Sequence, residues 1–288
     1  MLVSTSIRQI ESRPPETSAT TRSVGDSAPA ARTASTTERP PIAKGSQTAI
    51  IAGLSDLPDA IHLHPTAPLA PRVLLPGDPG RAMALAQELL REPRMFNHNR
   101  GLWGYSGLAA DGEPLTIQST GIGGPSAAIV LEELIALGAR RAIRVGTAGA
   151  LDAALALGEL LIVERAIGAD GTSRALSGAE SHDGDPELLA ALRRCDAGAR
   201  SVTIVSSDLF YEAGEPRFSQ WRAQGALAVE MECAALFALG ALRGVAVGCA
   251  LAVTDQLAAG ARERIDAAGL QEAGLAVGRL GAAALGAI

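Results

Sequence analysis

The 288-residue sequence is poor in lysine, aromatic residues and cysteine. Of its 25 basic residues only Lys44 is a lysine, a bias to which no function attaches. Aromatics make up 3% of the chain, so the 47% that is hydrophobic is mostly Ala, Val, Ile and Leu. Aliphatic strands and Ala-rich helices suit that composition. The three cysteines, Cys195, Cys233 and Cys249, are odd in number and lack metal-ligand or redox spacing. They read as reduced thiols in a cytoplasmic protein, and no metal site is expected. No run of basic residues occurs and the net charge is −6, which argues against nucleic acid and anionic membrane as partners. No apolar stretch reaches the roughly 18 residues of a membrane span. The segment from Leu275 to Ile288 is apolar but short, Gly-rich and interrupted by Arg279, and reads as a C-terminal core helix. The chain start has no apolar signal core, and its arginines are matched by acids, which makes it a poor transit peptide.

Residues 1–60 are rich in Ser, Thr, Pro and Ala and show neither helical nor strand periodicity, the texture of a disordered extension or of a miscalled start. Six basic residues there (Arg8, Arg13, Arg22, Arg32, Arg39, Lys44) balance six acids (Glu11, Glu16, Asp26, Glu38, Asp56, Asp59), so the net charge sits in residues 61–288. From Pro71 onward the pattern changes. Short aliphatic runs (RVLLPG, PLTIQSTG, RAIRVG, SVTIVSS, LAVEME, VAVGCALAVTD) are interspersed with helical stretches. This alternation predicts one α/β domain, a central mixed sheet flanked by helices. One helix is marked at both ends, by Pro125 at its start and Gly138 at its close, with Glu132 and Glu133 upon it.

Chemistry concentrates in loops that follow strands. Leu-Pro-Gly-Asp-Pro-Gly-Arg (75–81) sets a glycine turn after an apolar strand and Arg81 at the opening of the next helix. Free backbone amides with a guanidinium make an anion site; a plain turn with a surface arginine fits the same residues. The loop Ser119-Thr120-Gly121-Ile122-Gly123-Gly124-Pro125-Ser126 allows close backbone approach to a ligand. Its spacing does not fit the dinucleotide fingerprint. In Ala142-Ile143-Arg144-Val145-Gly146-Thr147 an arginine interrupts an apolar strand. Burying a guanidinium is costly unless an anion or a carboxylate meets it. Thr147 beside it adds a hydroxyl, which favours an oxyanion ligand over a structural ion pair. In Val229-Glu230-Met231-Glu232 two carboxylates stand two residues apart and, on a strand, point the same way. A carboxylate that accepts two hydrogen bonds suits a cis-diol such as ribose.

In order and spacing, PGDPGR, STGIGGPS, RAIRVGTAGAL, SSDLFY and VEMECAALF resemble the purine nucleoside and uridine phosphorylase family over about His62 to Leu257. The resemblance implies phosphorolysis of a nucleoside N-glycosidic bond, with inorganic phosphate as co-substrate and no cofactor. Gly77, Arg81, Arg144 and Thr147 would hold phosphate, joined by Arg100 of the Asn97-His98-Asn99-Arg100-Gly101 segment, which the family lends to a neighbouring subunit. Glu232 would bind the ribose 2′- and 3′-hydroxyls with Met231 packed on the sugar, and His62, rather than His64, would reach a partner's ribose 5′ end. Phe210, Thr254 and Glu230 would surround the base. Such sharing implies a homo-oligomer built of dimers, a hexamer being the expected form.

Base preference turns on two places. Val253-Thr254-Asp255-Gln256 occupies the position of the serine–aspartate pair of purine-specific members, so Asp255 would be the acid that protonates the leaving purine. Uridine-specific members carry Gln-x-Arg after the SSDxFY motif. Here Phe210-Tyr211-Glu212-Ala213-Gly214-Glu215-Pro216-Arg217 has Glu215 at the glutamine position, with one residue inserted. Purine nucleosides, methylthioadenosine included, are therefore expected over uridine. Either Arg262 or Arg264 would support Asp255. Two rivals are a nucleosidase using water, against which the retained Arg81, Arg100 and Arg144 argue, and a non-catalytic nucleoside-binding module, which leaves Asp255 unexplained.

Overall fold

The computed structural model describes residues 60–211, 214–258 and 263–288. The tail expected over residues 1–60 thus lies, except for Ala60, outside the described residues, as does Arg262.

The strands are β1 (Arg72–Leu75), β2 (Arg91–Asn97), β3 (Gly104–Leu108), β4 (Pro114–Gln118), β5 (Arg141–Ala150), β6 (Leu160–Ala169), β7 (Ser181–Asp183), β8 (Arg200–Ser207), β9 (Ala228–Glu230), β10 (Ala246–Gln256) and β11 (Glu263–Arg264). The helices are α1 (Pro79–Leu89), α2 (Gly124–Leu137), α3 (Gly171–Ser177), α4 (Pro186–Cys195), α5 (Glu215–Ala223), α6 (Cys233–Arg243) and α7 (Ala267–Gly286). All strands join one mixed sheet, as the alternation of aliphatic runs and helical stretches predicts. Its order is β11-β10-β6-β8-β9-β5-β1-β4-β3-β2, with β7 on β6, and β10 also pairs β5. The circuit β10-β6-β8-β9-β5 therefore closes on itself.

Strand alternation divides the core. Val73, Leu75 and Ala142 join the cluster under α2 and α6, whereas Leu74, Ile143 and Val145 join the one under α1, α4 and α7. Burial of these aliphatic side chains on both faces supplies the main stabilisation, and runs such as VLL in β1 lack polar interruption for that reason. Helix α2 starts with Pro125 in its first turn and ends on Gly138, whose φ of 117° is left-handed, in agreement with the sequence signals.

Two details position the site. Strands β1, β4, β5 and β10 are parallel neighbours, so their C-terminal ends and the loops that follow lie on one edge. On β10 the register against β5 slips between Val253 and Asp255, leaving Thr254 as the extra residue of a bulge. Regular pleating would send Thr254 and Asp255 to opposite faces; with the bulge both line the same cavity.

Candidate active site

The C-terminal strand edge opens into a cavity of about 1080 Å³. Its floor is laced together by backbone bonds from the loop after β4 to the loop after β1: Thr120 N–H donates to Pro76 O (2.9 Å) and Gly121 N–H to Gly77 O (3.0 Å). Asp78 caps α1, its Oδ1 accepting from the Arg81 N–H at 2.7 Å, so the turn after Gly77 is fixed and the Arg81 side chain starts from a rigid base.

Arg144 is the centre of the site. It is 4% exposed and lies on the face of β5 turned toward α6. Its head folds back over Gly146, where a Cβ would stand 2.8 Å from Nη2; only glycine leaves that space. Arg144 Nε donates to Glu230 Oε2 at 2.9 Å, and Nη2 pairs with Glu232. Nη1 is buried and has no hydrogen-bond partner among the described residues. A buried donor left unpaired costs about 1–3 kcal/mol, and more when charged, so this nitrogen calls for an acceptor that the protein does not supply.

The surrounding charges are tuned by their neighbours. Burial pushes the Arg81 guanidinium below its ordinary pKa and the positive Arg144 lowers it further, against an upward pull from Asp78. Two guanidiniums that repel across one cavity are relieved by a dianion between them. Burial alone would depress Arg144, but Glu232 and Glu230 outweigh it and hold the group charged. Burial raises the Glu232 carboxyl; Arg144 opposes this and the negative Glu230 adds to it. Glu232 Oε1 also accepts from the Gly123 N–H at 2.6 Å, which ties the glycine loop to the sugar carboxylate expected from sequence.

Arg81, Arg144, Gly77 and Thr147 line the phosphate end expected from sequence. Met231 and Glu232, Phe210, Thr254 and Asp255 line the remainder. Arg100, exposed and in a left-handed conformation (φ 56°), stands at the rim of its own chain's cavity. Glu230, expected at the base, reaches the cavity with its carboxylate already engaged: it accepts from Arg144, from the Ser206 hydroxyl and from the N–H groups of Glu232 and Cys233. The run LAVEME is a strand only over Ala228–Glu230, and Glu232 is the residue preceding α6. The two carboxylates converge because the chain turns there around Glu230, and not through strand alternation.

His62 is not among the residues lining its own chain's cavity. Its ring Nδ1 lies 2.6 Å from Glu133 Oε1. Glu133, buried on α2, also accepts the backbone N–H groups of Ile61, His62 and Leu63. Sequence reasoning noted Glu133 only as a helix residue; its place among Val130, Leu131 and Leu134 on an apolar face was the available signal. Where the base is expected from sequence, Thr254 Oγ1 donates to Asp255 Oδ2 (3.0 Å) and Arg264 Nε lies 3.6 Å from Asp255 Oδ1. Phe218, Leu257 and Leu270, which sequence reading did not single out, add apolar wall. Among the described residues no group of three or more His, Cys, Asp or Glu is placed to hold a metal ion, and no helix is long and apolar enough to cross a membrane.

The strand-edge cavity gathers Arg81, Arg144, Glu230, Glu232 and the buried Asp255, and the class of protein follows from comparison with known proteins. The sequence model of the Phosphorylase superfamily matches residues 71–288. A guanosine phosphorylase of Halorubrum lacusprofundi is 35% identical over 198 residues, 67% of this chain and 81% of that protein. A uridine phosphorylase of Treponema pallidum is 38% identical over 197 residues, 63% of this chain and 76% of that one. A DeoD-type purine nucleoside phosphorylase of Clostridium novyi is 33% identical over 199 residues, 67% and 85%. In structure, uridine phosphorylase from Vibrio fischeri superposes with a TM-score of 0.70 at 29% identity, covering 76% of this chain and 93% of its own. The chain belongs to the phosphorylase superfamily and is an enzyme of its nucleoside phosphorylase (pentosyltransferase) class.

Proposed function

We propose that this protein cleaves purine nucleosides (inosine, guanosine, adenosine or methylthioadenosine) with inorganic phosphate, giving the free base and a pentose 1-phosphate. The observation that carries the reading is the unpaired Arg144 Nη1 beside Arg81, in one cavity with Glu232 and Asp255. Phosphate between the two arginines sits beneath the sugar. As the C1′–N9 bond breaks, positive charge grows on the ribose ring; the dianion stabilises it and then forms the new C1′–O bond. Glu232 orients the 2′- and 3′-hydroxyls. Asp255 passes a proton to N7 so that the base departs neutral, and the proton that phosphate loses on ester formation balances the one the base gains. Thr254 and Phe210 confine the base, Met231 packs on the sugar, and Gly77 and Thr147 add donors to phosphate. Glu230 contributes by holding Arg144. No cofactor takes part.

Asp255 with its threonine neighbour supports purine over pyrimidine. Uridine is the second reading, since relatives named uridine phosphorylase match in both sequence and structure. We further propose a cytoplasmic homo-oligomer of dimers, up to a hexamer, in which Arg100 and His62 serve the neighbouring subunit. The deciding experiment is product formation from inosine, guanosine, adenosine, methylthioadenosine and uridine, with and without phosphate. Phosphate-dependent release of purine bases is expected. Cleavage of uridine alone overturns the base assignment, and cleavage without phosphate makes the protein a nucleosidase.

A further inference from the structure

A buried asparagine outside the cavity grips the turn that carries Arg100. Asn97, the last residue of β2, has none of its surface exposed. Its Nδ2 donates to Leu102 O (2.5 Å) and to Asn99 O (3.4 Å), one carbonyl on either side of Arg100 and Gly101. Its Oδ1 accepts from the N–H groups of Asn99 (3.3 Å) and His64 (2.9 Å). Leu102 O takes a second bond from Gln118 Nε2 at 2.9 Å, so the end of β4 braces the same carbonyl. Asn99 in turn donates from Nδ2 to His62 O at 2.9 Å. One side chain thus ties the His62–His64 stretch and the Arg100 turn to the end of β2.

The backbone between these anchors is strained. Arg100 has φ 56° and ψ 19°, in the left-handed region that a residue with a Cβ seldom enters, and Gly101 follows at φ 71°. Such a conformation persists only where the surroundings over-determine it. The turn's own bonds are weak holders: Gly101 N–H reaches His98 O at 3.3 Å and Leu102 N–H reaches Asn99 O at 3.1 Å. Asn97 holds the chain both before and after the strained residue. Above it the Arg100 side chain is exposed at the cavity rim, and no hydrogen bond or ion pair from the described residues fixes its guanidinium. Where that guanidinium points is therefore decided by the backbone beneath it.

We propose that Asn97 is a positioning residue for phosphate use: with Gln118 it clamps the Leu102 carbonyl and so sets the left-handed Arg100 backbone from which the guanidinium reaches the anion. This role rests on the reading of Arg100 as a phosphate ligand and adds to it the group that aims the ligand. It holds whichever subunit's phosphate Arg100 meets, because every anchor lies in the chain that carries the arginine.

The test is a double-mutant cycle in the full chain, with Asn97→Ala, Arg100→Ala and the two combined. Phosphate is varied at a saturating concentration of the nucleoside that the wild type cleaves best. Asn97→Ala should raise the phosphate KM about 10-fold and change kcat less than about 3-fold, the pattern of a misplaced binding group. Added to Arg100→Ala it should raise KM by less than about 2-fold more, because a group that acts through Arg100 has nothing left to act on. An asparagine that only holds the fold together would instead multiply the two effects. Should Asn97→Ala fail to fold, Gln118→Met carries the same cycle. It removes the second bond to Leu102 O, keeps the length of the side chain, and also removes Gln118 Oε1, a buried acceptor with no partner among the described residues. Its phosphate KM should rise about 3-fold, and that rise should vanish when Arg100 is already alanine. An unchanged phosphate KM in the folded variant overturns the proposal, as do effects that multiply in the double variant; if Arg100→Ala alone still raises KM, the phosphate role of Arg100 stands. If Arg100→Ala leaves the phosphate KM unchanged, that role falls first and this one with it.

Discussion

Arg264 stands opposite Asp255 in the antiparallel β10–β11 pair, with Nε 3.6 Å from Oδ1. The short strand β11 thus holds a cation against the buried carboxylate on the side away from Thr254. Loss of the carboxylate in Asp255→Ala should lower turnover of purine nucleosides by roughly 10²–10⁴-fold, the usual contribution of a positioned general acid. A substrate with a good leaving group needs no proton and should be spared. Arg264→Ala should reproduce the same selectivity at smaller amplitude, about 10-fold, because it only mispositions Asp255. Paired kinetics on inosine and on a nitrophenyl riboside separate the outcomes; equal losses on both substrates would remove Asp255 from the acid role.

Arg144 neutralises two buried carboxylates at once, Glu230 and Glu232. Replacement by Met keeps much of the volume but strands both acids. Removing one partner of a buried ion pair costs about 3–5 kcal/mol. Arg144→Met should therefore lower the melting temperature markedly and abolish phosphate use. Arg144→Lys restores charge without the forked geometry, so it should recover much of the stability and little of the phosphate affinity. Thermal unfolding together with phosphate titration checks both. Full phosphate affinity in the lysine variant would show that charge alone suffices.

Helix α7 reaches Arg81, proposed above to hold phosphate, through Gly274. A Cβ there would lie 3.1 Å from Arg81 Nε and 3.4 Å from its Cδ, so the guanidinium must shift by a few tenths of an ångström. In the interior of a helix, Gly→Ala by itself stabilises by about 1 kcal/mol. The two effects have opposite signs. Gly274→Ala should leave the melting temperature unchanged or raised and increase the phosphate KM several-fold, roughly what a sub-ångström misplacement produces. A lowered melting temperature with an unchanged KM would show that the helix moves and Arg81 does not.

The sequence made the layers of this fold legible because the aliphatic runs in β1 and β10 are buried on both sides and carry little polar interruption to confuse them. Helix α2 was legible from Pro125 and Gly138. The strand arginine was legible because a guanidinium inside an apolar run requires a counter-charge. Its actual partners were not, since Glu230 and Glu232 meet it only after β9 ends and the chain turns around the Glu230 carboxylate. Short elements such as β11 owe their form to tertiary pairing, so periodicity could not find them or choose Arg264 as a neighbour of Asp255. The bulge at Thr254 was equally hidden, because register slips arise from the partner strand. The role of Glu133 depends on a segment some seventy residues earlier in the chain, a distance at which local patterns carry no information.

That segment supplies the pH-dependent prediction. Burial pushes the Glu133 carboxyl up, but hydrogen bonds from His62 and from the backbone N–H groups of Leu63, His62 and Ile61 outweigh it and leave the group below its ordinary value of 4.5. A carboxyl depressed in the folded state adds stability that is fully present above its unfolded pKa. That stability is lost as pH falls through the folded value. Glu133→Gln cannot satisfy three backbone donors and the His62 ring with a single carbonyl oxygen, so it should cost about 1–3 kcal/mol at neutral pH. The gap in stability between wild type and variant should then stay constant from pH 7 down to about 4.5, and shrink steadily below it as the wild-type carboxylate is protonated. Urea unfolding at pH 7, 5, 4 and 3 measures it. A gap that is the same at every pH would mean that the charge of Glu133 contributes nothing and that shape alone holds the chain against α2.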